Sequence, residues 1–175
     1  MAGILDKAPE LRARAVRGLG EEVEISREAL ALEGKWLVLL FYPRDFTPVC
    51  PTEVLEVSRR SGELRRLGAE PIAISVDDIE THRRWIAERL GEVAIPLAAD
   101  PDGRIARAWG VFLEREKVAA RATFLVDPGG VIQYAAFHPL SVGRSVSEIL
   151  RVLEALLTGE LAPAEWQPGT PTLGR

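Results

Sequence analysis

The chain has 175 residues, 47% of them hydrophobic and 27% charged, with a net charge of −4 at pH 7. That length supports one domain with a sizeable core, and the acidic balance gives no footing for a nucleic-acid or anionic-membrane partner. A single cysteine excludes an internal disulfide, the two histidines show no ligand-like spacing for a metal, and no apolar run approaches the length of a membrane span.

In chain order, short alternating segments between Leu11 and Ile25 surround Gly18-Leu19-Gly20 and predict an N-terminal hairpin. Ser26 caps a short helix through Leu32, closed by Gly34. The apolar run Trp36 to Tyr42 reads as a strand buried on both faces. After a junction that carries the cysteine, the apolar positions Val54, Val57, Leu64 and Leu67 predict one long helix ended by Gly68. Pro71 to Val76 is a second core strand, and Asp77-Asp78 offer an N-cap for a helix through Leu90 with Trp85, Ile86 and Leu90 turned inward.

Ile95 to Ala99 is a third, brief strand; Asp100-Pro101-Asp102-Gly103 is a turn, and Arg104 to Trp109 a short helix. Thr123 to Asp127 and Val131 to Ala135 flank Pro128-Gly129-Gly130 and predict a hairpin. Ser145-Val146-Ser147-Glu148 is a capping box. It opens a last helix with Val146, Ile149, Leu150, Leu153 and Leu157 on one face and Gly159 beyond. The tail from Glu160 to Arg175 reads as an extended arm, with Trp166 anchoring it against a partner subunit. This order predicts an α/β fold: a mixed sheet flanked by helices, parallel first and antiparallel at the closing hairpin. The domain covers 1–158 and the arm 159–175.

The chemistry concentrates in Pro43-Arg44-Asp45-Phe46-Thr47-Pro48-Val49-Cys50-Pro51-Thr52-Glu53. A cysteine at a strand-to-helix junction sits where backbone N–H groups converge and the helix dipole is positive, an address that favours its thiolate. The bland alternative is an inert buried thiol, against which the flanking prolines and Thr47 argue. Glu53 has an equally simple role, complementing the helix dipole. His82 and His138 read as structural, and Trp85 as core or a wall of the site.

Pro43-x-x-x-Thr47-x-x-Cys50 resembles the active-site signature of the peroxiredoxins, thiol peroxidases on a thioredoxin-like fold. The wider Asp45 to Glu53 stretch is close to the subgroup of the alkyl hydroperoxide reductase peroxidase subunit. Further matches fall in order: Ser75-Val76-Asp77 with His82 and Trp85, Arg121-Ala122-Thr123-Phe124, Asp127-Pro128-Gly129-Gly130 and Val142-Gly143-Arg144-Ser145.

The resemblance implies that a Cys50 thiolate attacks a hydroperoxide oxygen and becomes a sulfenic acid. Thr47 is then expected beside the sulfur, Arg121 as the guanidinium that holds thiolate and peroxide, and Pro43 as a shield from water. Glu53 is expected to orient Arg121 or Arg144. Ala162 stands where the two-cysteine members resemble this chain but carry a resolving cysteine; a natural alanine and a replaced cysteine both stay open. Without that cysteine the reductant must be an external thiol, small or of the thioredoxin type.

No cofactor is implied. The likeness further suggests a homodimer or a ring of dimers, and Met1 to Lys7 lacks the apolar core of a signal peptide, so the expected location is cytoplasmic. The alternative function is a redox-triggered holdase or peroxide relay. A thiol–disulfide oxidoreductase is excluded by the lack of Cys-x-x-Cys.

Overall fold

The computed structural model describes residues 2–175. Two compact units make up the chain, one running to Arg144 and the other Ser145–Arg175. The first holds a seven-stranded mixed sheet. Its strands are β1 (Arg12–Gly18), β2 (Glu21–Ser26), β3 (Trp36–Phe41), β4 (Ala69–Ser75) and β5 (Val93–Ala99). After a separate two-stranded ribbon, β6 (Phe112–Leu113) with β7 (Val118–Ala119), come β8 (Arg121–Val126) and β9 (Ile132–His138). The sheet order is β2-β1-β5-β4-β3-β8-β9.

β3 runs parallel to β4 and β4 to β5, whereas β8 lies antiparallel to both β3 and β9, as the element order predicted. Both hairpins form where expected. The first is no appendage: β1 also pairs antiparallel with β5 and so widens the central sheet. β3 lies inside the sheet, between β4 and β8, where Leu37 to Phe41, apolar on both faces, are all buried. Leu37, Leu39 and Phe41 share a core with Ile72, Ile74, Phe124 and, from α5 (Arg104–Ala108) and the residue after it, Ile105 and Trp109. Phe41, Trp109 and Phe124 pack there with ring centroids 5.0–6.1 Å apart, in tilted or edge-on contacts.

α1 (Arg27–Leu32) begins at Ser26, whose hydroxyl accepts the Ala29 N–H as the capping rule requires. The expected long helix is instead two: α2 (Cys50–Arg59) and α3 (Ser61–Arg66). The break falls at Arg60 (φ −100°, ψ 9°), where Ser61 turns its hydroxyl back to the Ser58 carbonyl and Gly62 follows, two poor residues for a helix interior. α2 packs on β5 and α3 on β4. α4 (Ile79–Trp85) starts at Asp78, whose carboxylate accepts the Thr81 N–H, and passes into one π turn, Ile86–Leu90. Trp85, Ile86 and Leu90 are buried as predicted.

In the second unit, α6 (Val146–Thr158) opens with the Glu148 N–H donating to the Ser145 hydroxyl. Only half of the capping box is present, because the Glu148 carboxylate pairs with Arg151. Leu157, expected on the apolar face, is 42% exposed, since it falls past the last buried turn at Leu153. Gly159 ends the helix in the left-handed region at φ 65°. The tail is not extended. Leu161 and Gly174 close on each other through Leu161 N–H to the Gly174 carbonyl and Leu173 N–H to the Leu161 carbonyl, both 2.8 Å. Trp166 is buried in the single chain, so its burial needs no partner subunit: its indole N–H reaches the Thr170 carbonyl and its own carbonyl accepts from Arg151.

Candidate active site

β3 delivers the chain to Tyr42, and the loop 43–49 carries it to the first residue of α2, which is Cys50. Strands β3 and β8 are neighbours in register, Phe41 opposite Ala122, so Arg121 at the start of β8 lies beside the end of β3. This places a guanidinium at the mouth of the cysteine junction although the two residues are 71 apart in sequence. Cys50 is fully buried, and it is a free thiol.

Arg121 Nη1 lies 3.2 Å from Cys50 Sγ and donates to Glu53 Oε2 at 2.7 Å, while Nε donates to the Leu140 carbonyl at 2.8 Å. Glu53, one turn into α2, therefore pairs with Arg121 as expected. It takes more donors from Arg144, receiving the backbone N–H (3.0 Å) and Nε (2.9 Å) at Oε1 and Nη2 (3.1 Å) at Oε2. Arg144 Nη1 is taken up by the Ala122 carbonyl and the Thr123 hydroxyl. All three charged side chains are nearly sealed from solvent.

Burial alone would raise the carboxyl of Glu53, but the hydrogen bonds and charge of Arg144, then the charge of Arg121, hold it below its ordinary value of 4.5. Glu53 is thus an anion between two cations, and the trio carries one net positive charge beside the sulfur. A guanidinium in a dry pocket can donate to charge that develops on a bound oxygen.

The loop itself is held by a polar network that the sequence reading did not foresee. Tyr42 donates to Asp45 Oδ1 (2.7 Å), His82 Nδ1 lies 2.7 Å from Asp45 Oδ2, and His82 Nε2 lies 3.1 Å from the Ala98 carbonyl. Asp77 serves here rather than as a helix cap, accepting the Asp45 N–H (2.8 Å) and the Ser75 hydroxyl (2.7 Å). His82 is buried within this network, and the buried Trp85 ring stacks on Tyr42 at 5.9 Å and meets Phe46 at 6.4 Å. Phe46 adopts φ 56°, the left-handed region that bulky residues avoid at a cost of about 1–3 kcal/mol. Arg84 covers the Phe46 ring at 5.2 Å.

Pro43 is buried at the start of the loop. The Thr47 hydroxyl donates to the Arg44 carbonyl at 2.9 Å, a tie within the loop that leads to Cys50. A hydroxyl that has given away its proton presents lone pairs to whatever sits beside it. Ala162 lies in the second unit and is exposed. Among the described residues no cluster of histidine, cysteine, aspartate and glutamate is fit to hold a metal ion, and no helix is long and apolar enough to cross a membrane.

The AhpC/TSA family model matches residues 4–135. The chain is 41% identical over 176 residues to Peroxiredoxin-2 of Macaca fascicularis, covering 95% of this chain and 87% of that one. It is 40% identical over 179 residues to the mitochondrial thioredoxin-dependent peroxide reductase of Bos taurus, covering 97% and 68%. Among solved structures, the reduced 2-Cys peroxiredoxin of Plasmodium vivax superposes with a TM-score of 0.91 at 30% identity, covering 96% of this chain and 91% of that one.

Proposed function

The chain belongs to the AhpC/TSA peroxiredoxin family, and we propose that its thiol-dependent peroxidase activity is carried by Cys50 under the guanidinium of Arg121. The observation that carries this assignment is the 3.2 Å contact from Arg121 Nη1 to a buried sulfur, in a cluster whose net charge is positive until the sulfur is an anion. Cys50 Sγ attacks one oxygen of a hydroperoxide, hydrogen peroxide or an organic hydroperoxide. The O–O bond breaks, sulfur becomes a sulfenic acid and the other oxygen leaves as water or alcohol after gaining a proton. Arg121 holds the oxygens as charge develops, Thr47 accepts the peroxide O–H, and Pro43 excludes water while offering no N–H to compete.

With one cysteine in the chain, no second sulfur is available in its own sequence to form a disulfide. An external thiol therefore attacks the sulfenic acid, releasing water and leaving a mixed disulfide that a further thiol reduces. A thioredoxin-type protein is the reductant favoured by the name of the Bos taurus relative. The chain works as a homodimer in the cytoplasm: β9 is the last strand of the sheet, met by Leu5 and Asp6 at Ile132, and carries Phe137 46% exposed, a surface suited to pairing with a second copy. The holdase or relay alternative draws no support from the named relatives.

The test is peroxide consumption with a dithiol, followed by intact mass. Wild-type protein is expected to turn over, and one equivalent of peroxide to add one oxygen at Cys50 with no disulfide-linked dimer. Cys50→Ser is expected to be inert. Turnover that survives in Cys50→Ser would overturn the assignment.

A further inference from the structure

The turn from Arg44 to Thr47 stands between β3 and Cys50, and it is closed on itself by the Thr47 hydroxyl donating to the Arg44 carbonyl at 2.9 Å. Beneath it, tethers from three other parts of the chain converge on Asp45, which is only 3% exposed. Its carboxyl meets the Tyr42 hydroxyl just past β3 at 2.7 Å and His82 Nδ1 of α4 at 2.7 Å. Its backbone N–H donates to Asp77, just past β4, at 2.8 Å.

The residue that follows needs such an anchor. Phe46 holds φ 56°, a conformation that a bulky residue keeps only where its surroundings impose it. The contacts of its ring with Trp85 and Arg84 leave Phe46 39% exposed, so side-chain packing holds it only in part. The remaining fixed points are Asp45 before it and the Thr47–Arg44 bond across it. In the reaction proposed above the Thr47 oxygen meets the peroxide, and that oxygen is placed by the carbonyl of the residue next to Asp45.

We propose that Asp45 is a positioning residue for the peroxide step. Tied to Tyr42, to His82 and to Asp77, it keeps the turn shut with Phe46 in the left-handed region, and so sets the Thr47 hydroxyl for the incoming oxygen. Without the carboxyl, Phe46 relaxes toward negative φ, the Arg44 carbonyl turns and Thr47 loses its place. Asp45 acts through Thr47 and not on the reacting atoms. This rests on the peroxidase assignment above.

The experiment is a double-mutant cycle on the pre-steady-state rate of Cys50 oxidation by hydrogen peroxide, measured well below the melting temperature of each variant. Asp45→Ala is expected to slow oxidation about tenfold in the wild-type background and to have little effect in a Thr47→Val background, where the hydroxyl it sets is already gone. Asp45→Asn is expected to keep about half the wild-type rate or more. Its amide oxygen accepts from Tyr42, and its NH2 donates to a neutral His82 whose proton sits on Nε2 toward Ala98. If alanine prevents folding, Tyr42→Phe, which removes only the hydroxyl that meets Asp45, carries the same cycle with an expected loss of about threefold. An unchanged rate in Asp45→Ala, equal losses in both backgrounds, or Asp45→Asn as slow as Asp45→Ala overturns the positioning role. Wild-type protein left unoxidised at Cys50 would instead overturn the peroxidase reading.

Discussion

Arg144 meets Glu53 with three donors, its backbone N–H, Nε and Nη2, whereas Arg121 gives the same carboxylate one. The two arginines flank one anion unequally, and the inequality divides their work. Arg144 spends its guanidinium on Glu53, the Ala122 carbonyl and the Thr123 hydroxyl, and none of it is left for sulfur. Arg121 is anchored by Leu140 and Glu53 and still reaches Cys50.

Arg144→Ala is therefore expected to act mainly on stability. It removes two bonds to a buried carboxylate and strips partners from Ala122 and Thr123, while Arg121 still compensates Glu53. The expected loss is about 2–3 kcal/mol, below the full cost of orphaning a buried charge. Urea unfolding at neutral pH measures it. Arg144→Lys should recover little, because an ammonium cannot supply the fork that spans both carboxylate oxygens.

Arg121→Ala is expected to do the reverse. Glu53 keeps its three donors from Arg144, so the fold survives with a smaller loss than in Arg144→Ala. Oxidation of Cys50 by hydrogen peroxide should slow about 100-fold to 1000-fold, the range for removing a donor aimed at developing charge. Stopped-flow fluorescence reads the oxidation step, since Trp85 packs on Tyr42, just before the loop leading to Cys50, and on Phe46 within it. A rate within threefold of wild type would remove Arg121 from the chemistry.

Acid should unfold the protein partly through Glu53. Its folded carboxyl titrates below the ordinary 4.5, despite burial, because Arg144 and Arg121 hold the anion. A depressed carboxyl contributes stability that is fully present above its unfolded value and fades as pH falls through the folded one. Unfolding free energy measured from pH 7 down to pH 3 should thus decline more steeply in wild type than in Glu53→Gln. Parallel curves would show that the carboxylate is not linked to folding.

Much of this site can be read from local spacing, and the remainder depends on pairings between distant strands. Cys50 and Glu53 are three apart on one helical turn, so their joint placement follows from the helix alone. Arg121 was nominated only by resemblance, because its approach to Cys50 comes from β8 lying beside β3 in one particular register. The Leu140 carbonyl left no trace in the sequence, being a backbone group with no side-chain preference. Tyr42, Asp45, Asp77 and His82 form one network although Asp45 and His82 lie 37 residues apart, and no periodicity links them. The helix break at Arg60 did leave a visible signal, Ser61-Gly62, which the regular apolar spacing on either side outweighed.

His82 should make stability fall as solution becomes alkaline. Both of its ring nitrogens face oxygens, one of the Asp45 carboxyl and the carbonyl of Ala98, so a ring that carries two protons donates to both. Burial disfavours the cation, yet the hydrogen bond and charge of Asp45, with the Ala98 carbonyl, raise the folded group above its ordinary 6.5. A raised imidazole contributes stability that is fully present below the unfolded value and is lost as pH rises through the folded one. Wild-type unfolding free energy is therefore expected to decrease from pH 6 to pH 9, and His82→Gln to be less stable at pH 6 with a flatter profile. Nitrogen NMR of the ring should show both N–H protons at pH 6. If one nitrogen is bare there, the ring is neutral, one contact is lost, and the alkaline decline must come from another group.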